Sequence, residues 1–229
     1  MTNYAFAPPP VPSVAIAGTD ARFPVRRIFC VGRNYAAHAR EMGGDPNREP
    51  PFFFMKPADA VVDSGKTVRY PPETENYHHE IELVVAIGKG GANIAPEQAL
   101  DHVFGYGVGL DMTRRDLQDA AKATRRPWDW SKGFDQSAPV APLHTVAEVG
   151  HPQSGRIWVA VDGAIRQDSD IDQLIWPVAD VIAFASRSME LQPGDLFMTG
   201  TPEGVGAVKR GEVMTGGIAG LGEIRIAVE

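Results

Sequence analysis

Short β-patterned runs separated by turn signals fill this sequence, and that rhythm limits its fold more than any other feature. RRIFCVG, FFFMKP, HHEIELVVAIG, GYGVGLDM and RIWVAVDGAIRQ each carry the apolar spacing of strands. Asp162-Gly163, inside the last run, is a hairpin dipeptide. Helical patterns are fewer. They are NYAAHAREMG, with Asn34 as N-cap and Gly43-Gly44 as stop, PEQALDHVF, RRDLQDAAKAT ending near Pro127, and WPVADVIAFASRSMEL. No alternation of strand and helix lasts long enough for a doubly wound sheet or a βα-barrel. The sum predicts a β-rich α+β fold without internal repeats. Residues 1–26 hold Pro8-Pro9-Pro10 and Pro12 and read as an extended Pro-rich arm, with residues 27–229 as a single domain.

Composition removes several function classes. With 229 residues, 43% hydrophobic and 22% charged, the chain can bury a substantial core. A net charge of −7, with basic residues scattered or in pairs such as Arg26-Arg27 and Arg114-Arg115, argues against nucleic acid as a partner. The N-terminus lacks a basic n-region, and no apolar stretch approaches the roughly 18 residues that span a bilayer, so neither secretion nor a membrane is expected. One cysteine, Cys30, cannot form an internal disulfide, and a reducing cytoplasm is the expected location.

Chemistry concentrates in a few places. Glu80 and Glu82 sit two apart in a strand pattern, so both project to one face while Ile81 and Leu83 project to the other. Two adjacent carboxylates repel unless a positive charge lies between them, and a hard divalent cation is the natural filler. Such a pair is also common on solvated strand edges. Asp111, closing GYGVGLD, makes a carboxylate triad possible. His78 shares the parity of the two glutamates and so faces the same pocket, either as a neighbour of the site or as a direct ligand, which would favour a transition metal over Mg²⁺. His38 and Glu41, three apart on a short helix, form either a candidate general base with its orienting carboxylate or an exposed pair of little consequence. Lys132, in WDWSKGFD, is either a partly desolvated countercharge or a surface lysine running past Trp130. MTGTPEGVG gathers Thr199, Gly200 and Thr201 into a turn whose hydroxyls and backbone N–H groups suit a carboxylate, unless it is only a tight turn.

Six segments in order, GRNYAAHAREMG, FFFMKPADAVV, HHEIELVVAIGKG, GYGVGLDMTRRDLQ, PWDWSKGFDQSAPV and FMTGTPEGVG, resemble the fumarylacetoacetate hydrolase family over nearly the whole chain. The resemblance implies a mixed β-roll-like fold, a homodimer, and Mg²⁺ or Mn²⁺ held by Glu80, Glu82 and Asp111. It also implies a water-activating dyad, His38 and Glu41, on a closing lid, an active-site Lys132, and Gln118 and Thr199-Gly200-Thr201 near substrate. The expected reaction is hydrolysis of the C–C bond of a 2,4-diketo acid, foremost 3-fumarylpyruvate to fumarate and pyruvate in gentisate breakdown. Arg33 and Tyr35 are expected to shape the lid, and Arg114 or Arg115 to meet the substrate's distal carboxylate. The same scaffold serves acylpyruvate hydrolysis, oxaloacetate decarboxylation, and isomerisation or hydration of related 2-oxo acids. A non-catalytic 2-oxo-acid-binding scaffold is the reading from another class.

Overall fold

The computed structural model describes residues 2–41 and 49–229. Among these, two large sheets share one apolar core. The first has eight strands, in the order Phe52–Lys56, Arg27–Gly32, Asp195–Met198, Ile81–Ile87, Val103–Leu110, Ala138–Val140 and Val61–Asp63, with His144–Thr145 also paired to Val103–Leu110. The second has five, running Ala164–Asp170, Arg156–Val161, Val213–Ile218, Glu223–Val228 and Thr67–Val68. Ile81, Leu83, Val85 and Ile87 enter the core between the sheets, against Ile157, Val159, Ile224 and Ile226. Val84 and Ala86, from the same strand, enter a second cluster on the opposite face with Ile28, Cys30, Leu196 and Met198. A strand buried on both faces can carry apolar residues at every position. Glu82 interrupts that rule at the end of the strand, where the second face opens into a cavity. The β-rich α+β expectation holds.

The strand read across HHEIELVVAIG is broken at Glu80. Tyr77–His79 pairs with Thr113–Arg114 and Gly206–Ala207 in a small separate sheet, whereas Ile81–Ile87 pairs within the large one. Glu80 passes between the two sheets, and its carbonyl accepts the Asp111 N–H at 2.8 Å. Pro96–His102 is a 3-10 helix rather than an α-helix, because Val103 and Phe104 are drawn into the adjoining strand. The extended arm is shorter than its prolines suggest. Ser13–Ala15 and Arg22–Pro24 pair as a hairpin that buries Val14 and Phe23, its reversal helped by Gly18 at φ 69°. The Asp162-Gly163 hairpin forms as expected, with both residues at positive φ.

Helices are short and local. Ala36–Glu41 carries the His38–Glu41 pair, while Gly43-Gly44, its expected stop, lies outside the described residues. Asn34 does not cap it. Its fully buried amide donates to the carbonyls of Trp176 and Thr199 and accepts from the Trp176 N–H, clamping three segments together. Arg115–Ala123 and Val178–Ser188 match their patterns. No helix among the described residues is long and apolar enough to cross a membrane.

Candidate active site

Strand register builds the carboxylate cluster. Glu82 pairs with Gly109 and Ile81 with Leu110, so the chain leaving Leu110 delivers Asp111 beside Glu80. A ligand oxygen from each of Glu80, Glu82 and Asp111 lies within 4.8 Å of the others, and all three residues are buried. Gly109 leaves room for the packed Val84 side chain, since a Cβ there would meet Val84 Cγ2 at 2.6 Å.

Three buried cations meet two of the three acids. Lys132 Nζ bridges Glu80 Oε2 at 2.7 Å and Asp111 Oδ2 at 2.8 Å. Arg115 binds Glu80 Oε1 and the Gln118 side-chain oxygen. Lys56 Nζ lies 2.8 Å from Asp111 Oδ1 and donates to the carbonyls of Met112 and Lys132 at 2.9 and 2.6 Å. The Lys56 contact with Oδ1 is an ion pair without hydrogen-bond alignment. Burial opposes ionisation of Glu80, but Lys132 and Arg115 outweigh it and hold that carboxyl well below the usual range. Glu82 has no such partner. Burial, then the charges of Asp111 and Glu80, push its carboxyl well up.

This donor set fits a hard divalent cation. All ligand atoms are oxygens, Asp111 Oδ1 lacks an aligned donor, and the Lys132 ammonium already lies between two of the acids, marking where positive charge is needed.

The helix bearing His38 faces the same cavity. His38 Nδ1 meets Glu41 Oε2 at 3.0 Å, leaving Nε2 as the ring nitrogen turned to the cavity. Glu41 is held in turn by the Gly204 N–H at 3.1 Å. The imidazole is 9% exposed and the Glu41 side chain 34%, so the pair is half-buried, with His38 on the cavity side.

The Thr-Gly-Thr turn does grip carboxylates, but they are the protein's own. Gly200 N–H donates to Glu82 Oε2 at 2.7 Å and Gly204 N–H to Glu41, so one turn orients an acid of the cluster and the acid of the dyad. Thr199 spends its hydroxyl on the Leu83 carbonyl and Thr201 accepts from Gln167, which leaves only Thr201 lining the cavity. The expectation of Thr199 and Gly200 as free donors to substrate is corrected accordingly. Gly200 is obligatory here: its φ is 102°, and a Cβ would lie 2.7 Å from Asn34 Cβ.

Other expected residues separate. Arg33, Arg115 and Gln118 line the cavity. Tyr35 is buried behind it, with its hydroxyl unpartnered and its phenol pushed up by burial and then by Glu82. Arg114 leaves the site altogether and stacks over Phe134 at 4.4 Å. Arg115 is committed to Glu80, so neither arginine is free for a distal carboxylate. His78 lies outside the cluster, bonded to Asn76 Oδ1 at 2.8 Å and beside Arg115 at 3.4 Å, and burial followed by Arg115 lowers its pKa to about 4. Lys132 is desolvated by Phe54, 5.0 Å away, while Trp130 is 81% exposed and irrelevant to it. Lys56 was not expected. Its one signal is a lone cation ending an apolar strand, FFFMKP.

A β-rich domain with three buried acids, buried lysines and a His–Glu pair at one cavity defines a class. The chain belongs to the fumarylacetoacetate hydrolase family, whose model, Fumarylacetoacetate (FAA) hydrolase C-terminal, matches residues 27–229. It is 45% identical to the fumarylpyruvate hydrolase of Ralstonia sp over 80% of this chain and 95% of that one. To a mitochondrial oxaloacetate tautomerase of Arabidopsis thaliana it is 42% identical, over 89% and 91% of the two chains. The crystal structure of fumarylpyruvate hydrolase from Pseudomonas aeruginosa in complex with Mn²⁺ and pyruvate superposes with a TM-score of 0.97 at 61% identity, covering 99% of each chain.

Proposed function

We propose that this chain is a divalent-metal-dependent hydrolase that cleaves 3-fumarylpyruvate to fumarate and pyruvate. One observation carries the reading: Glu80, Glu82 and Asp111 meet within 4.8 Å at the same cavity that receives the His38–Glu41 dyad. In this reading the three acids hold Mg²⁺ or Mn²⁺, which supplies Lewis-acid polarisation of the 2-oxo acid head when bound. His38 Nε2 takes a proton from water while Glu41, fixed by the Gly204 N–H, steadies the resulting imidazolium. The water oxygen bonds to C4, the C3–C4 bond breaks, and its electron pair passes to C3. Protonation of C3 by His38 completes pyruvate and restores the base. Lys132 offers a buried ammonium to negative charge developing on the pyruvate oxygen. Phe54 and Trp128 narrow access of bulk water.

Residues 27–229 form the catalytic domain in this reading, with residues 1–26 as a flanking arm. The enzyme is a cytoplasmic homodimer serving gentisate breakdown, and the single buried, unpaired Cys30 suits a reducing compartment. A second reading, keto–enol conversion of oxaloacetate, is favoured by the similarity to the Arabidopsis tautomerase. It uses the same proton shuttle without an attacking water.

The test is a substrate panel on metal-stripped protein. Readdition of Mn²⁺ should restore loss of the fumarylpyruvate enol absorbance, and Glu80→Ala should abolish it. Full turnover in excess chelator or in Glu80→Ala contradicts the proposal, while conversion of oxaloacetate alone moves the function to the second reading.

A further inference from the structure

The cavity also carries cations for which the triad chemistry has no use. The inward face of helix Arg115–Ala123 presents Arg115, Gln118 and Lys122, spaced by three and four residues, to one side of the cavity. Arg115 and Gln118 are consumed in holding Glu80. Lys122 is not. Its ion-pair partner, Asp119, is 57% exposed and stands 3.5 Å away, a geometry that contributes little in water. Its ammonium lies 5.5 Å from the Trp128 ring centre, and burial, then Arg115, lower its pKa. Arg33 lines the same cavity, near enough for its charge also to disfavour the Lys122 ammonium, and its side chain has neither ion pair nor hydrogen bond among the described residues. Its backbone is held at φ 57°, a conformation unusual for arginine.

The enclosed space measures about 30 Å³, and Gly32, Arg33 and Trp128 also border an adjoining cavity of about 340 Å³. A substrate whose head reaches the triad therefore extends its tail past Arg33 and Lys122. Glu49 lines the adjoining cavity and would repel an anion that travelled further. Two under-neutralised cations flanking one passage form a site for a single negative group.

From this geometry we infer that Arg33 and Lys122 clamp a second carboxylate at the far end of the substrate, so that the enzyme selects dicarboxylic acylpyruvates over those with an alkyl tail. The inference rests on the hydrolase reading and names the tail that reading leaves open. Arg33 supplies a planar fork and Lys122 a point charge set against the Trp128 face.

The test compares kcat/KM for fumarylpyruvate and acetylpyruvate in the Mn²⁺-loaded enzyme and in Lys122→Met, Lys122→Arg and Arg33→Gln. Wild type should prefer fumarylpyruvate. Lys122→Met and Arg33→Gln should each cut that preference about tenfold or more, chiefly through KM, as expected for loss of a charged hydrogen bond. Lys122→Arg should restore most of it. An equal effect on both substrates, or none, overturns the clamp. If wild type cleaves neither substrate, the hydrolase reading has failed, and calorimetry decides the clamp separately. Fumarate should then bind more tightly than crotonate, with that difference lost in Lys122→Met, and equal affinity of wild type for the two acids overturns the inference.

Discussion

At the scale of single residues, the site is a charge-matched cluster in which each buried acid has a different environment. Glu80 is held ionised by Lys132 and Arg115, whereas Glu82 faces acids and one backbone N–H. Lys56 completes the balance from beneath, bound to two carbonyls and next to Asp111. Lys56→Met should therefore cost about 3 kcal/mol of stability, because it takes the lysine donor from the buried Met112 carbonyl and one of two buried cations from Asp111, and urea unfolding would measure it. His38→Ala should lower kcat by about 10²–10⁴-fold while Mn²⁺ affinity stays within a few fold, as kinetics and metal titration would separately report. The glutamate pair was legible in sequence because strand parity is local: two residues apart means one face. Lys56 was not, since a single lysine before Pro57 reads as the end of a strand and its partner lies 56 residues further on.

At the scale of elements, the turn after Asp195–Met198 organises the site more than any helix does. Its N–H groups reach Glu82 across 118 positions and Glu41 across 163. A sequence can mark such a turn as rich in donors, but it cannot say that the acceptors are the protein's own glutamates. Gly200→Ala should destabilise the fold, because its Cβ meets Asn34 at a positive φ, and should weaken Mn²⁺ binding about 10–100-fold by releasing Glu82, with urea unfolding reading the first effect and metal titration of the folded protein the second. Thr199→Val should behave differently. It removes one of two donors to the Leu83 carbonyl, the Thr199 N–H remaining at 3.1 Å, and should cost about 0.5–1.5 kcal/mol without changing KM, since Thr199 does not line the cavity. The helix read over PEQALDHVF became a 3-10 turn for a similar reason, because pairing of Ile87 with Val103 pulls its end into the sheet.

At the scale of the whole molecule, two sheets share a core, and the polar site occupies the end where strand Ile81–Ile87 leaves it. The fold class was legible from the many short strands, and the break at Glu80 was not, because only the pairing of Tyr77–His79 with distant segments divides an otherwise continuous apolar run. That break shapes the carboxylate cluster, since it turns Glu80 toward Asp111 while keeping Glu82 on the large sheet. The central claim, that the three acids form a metal seat, makes Glu82 unfavourable without a cation and necessary with one. Thermal unfolding of wild type and Glu82→Gln, with and without Mn²⁺, tests it most directly. Mn²⁺ at about 100 times its Kd should raise the wild-type Tm by about 5–10 °C. Metal-free Glu82→Gln should unfold at the same temperature as metal-free wild type or higher, with Mn²⁺ no longer shifting it. An equal Mn²⁺-induced rise in Glu82→Gln would contradict the account.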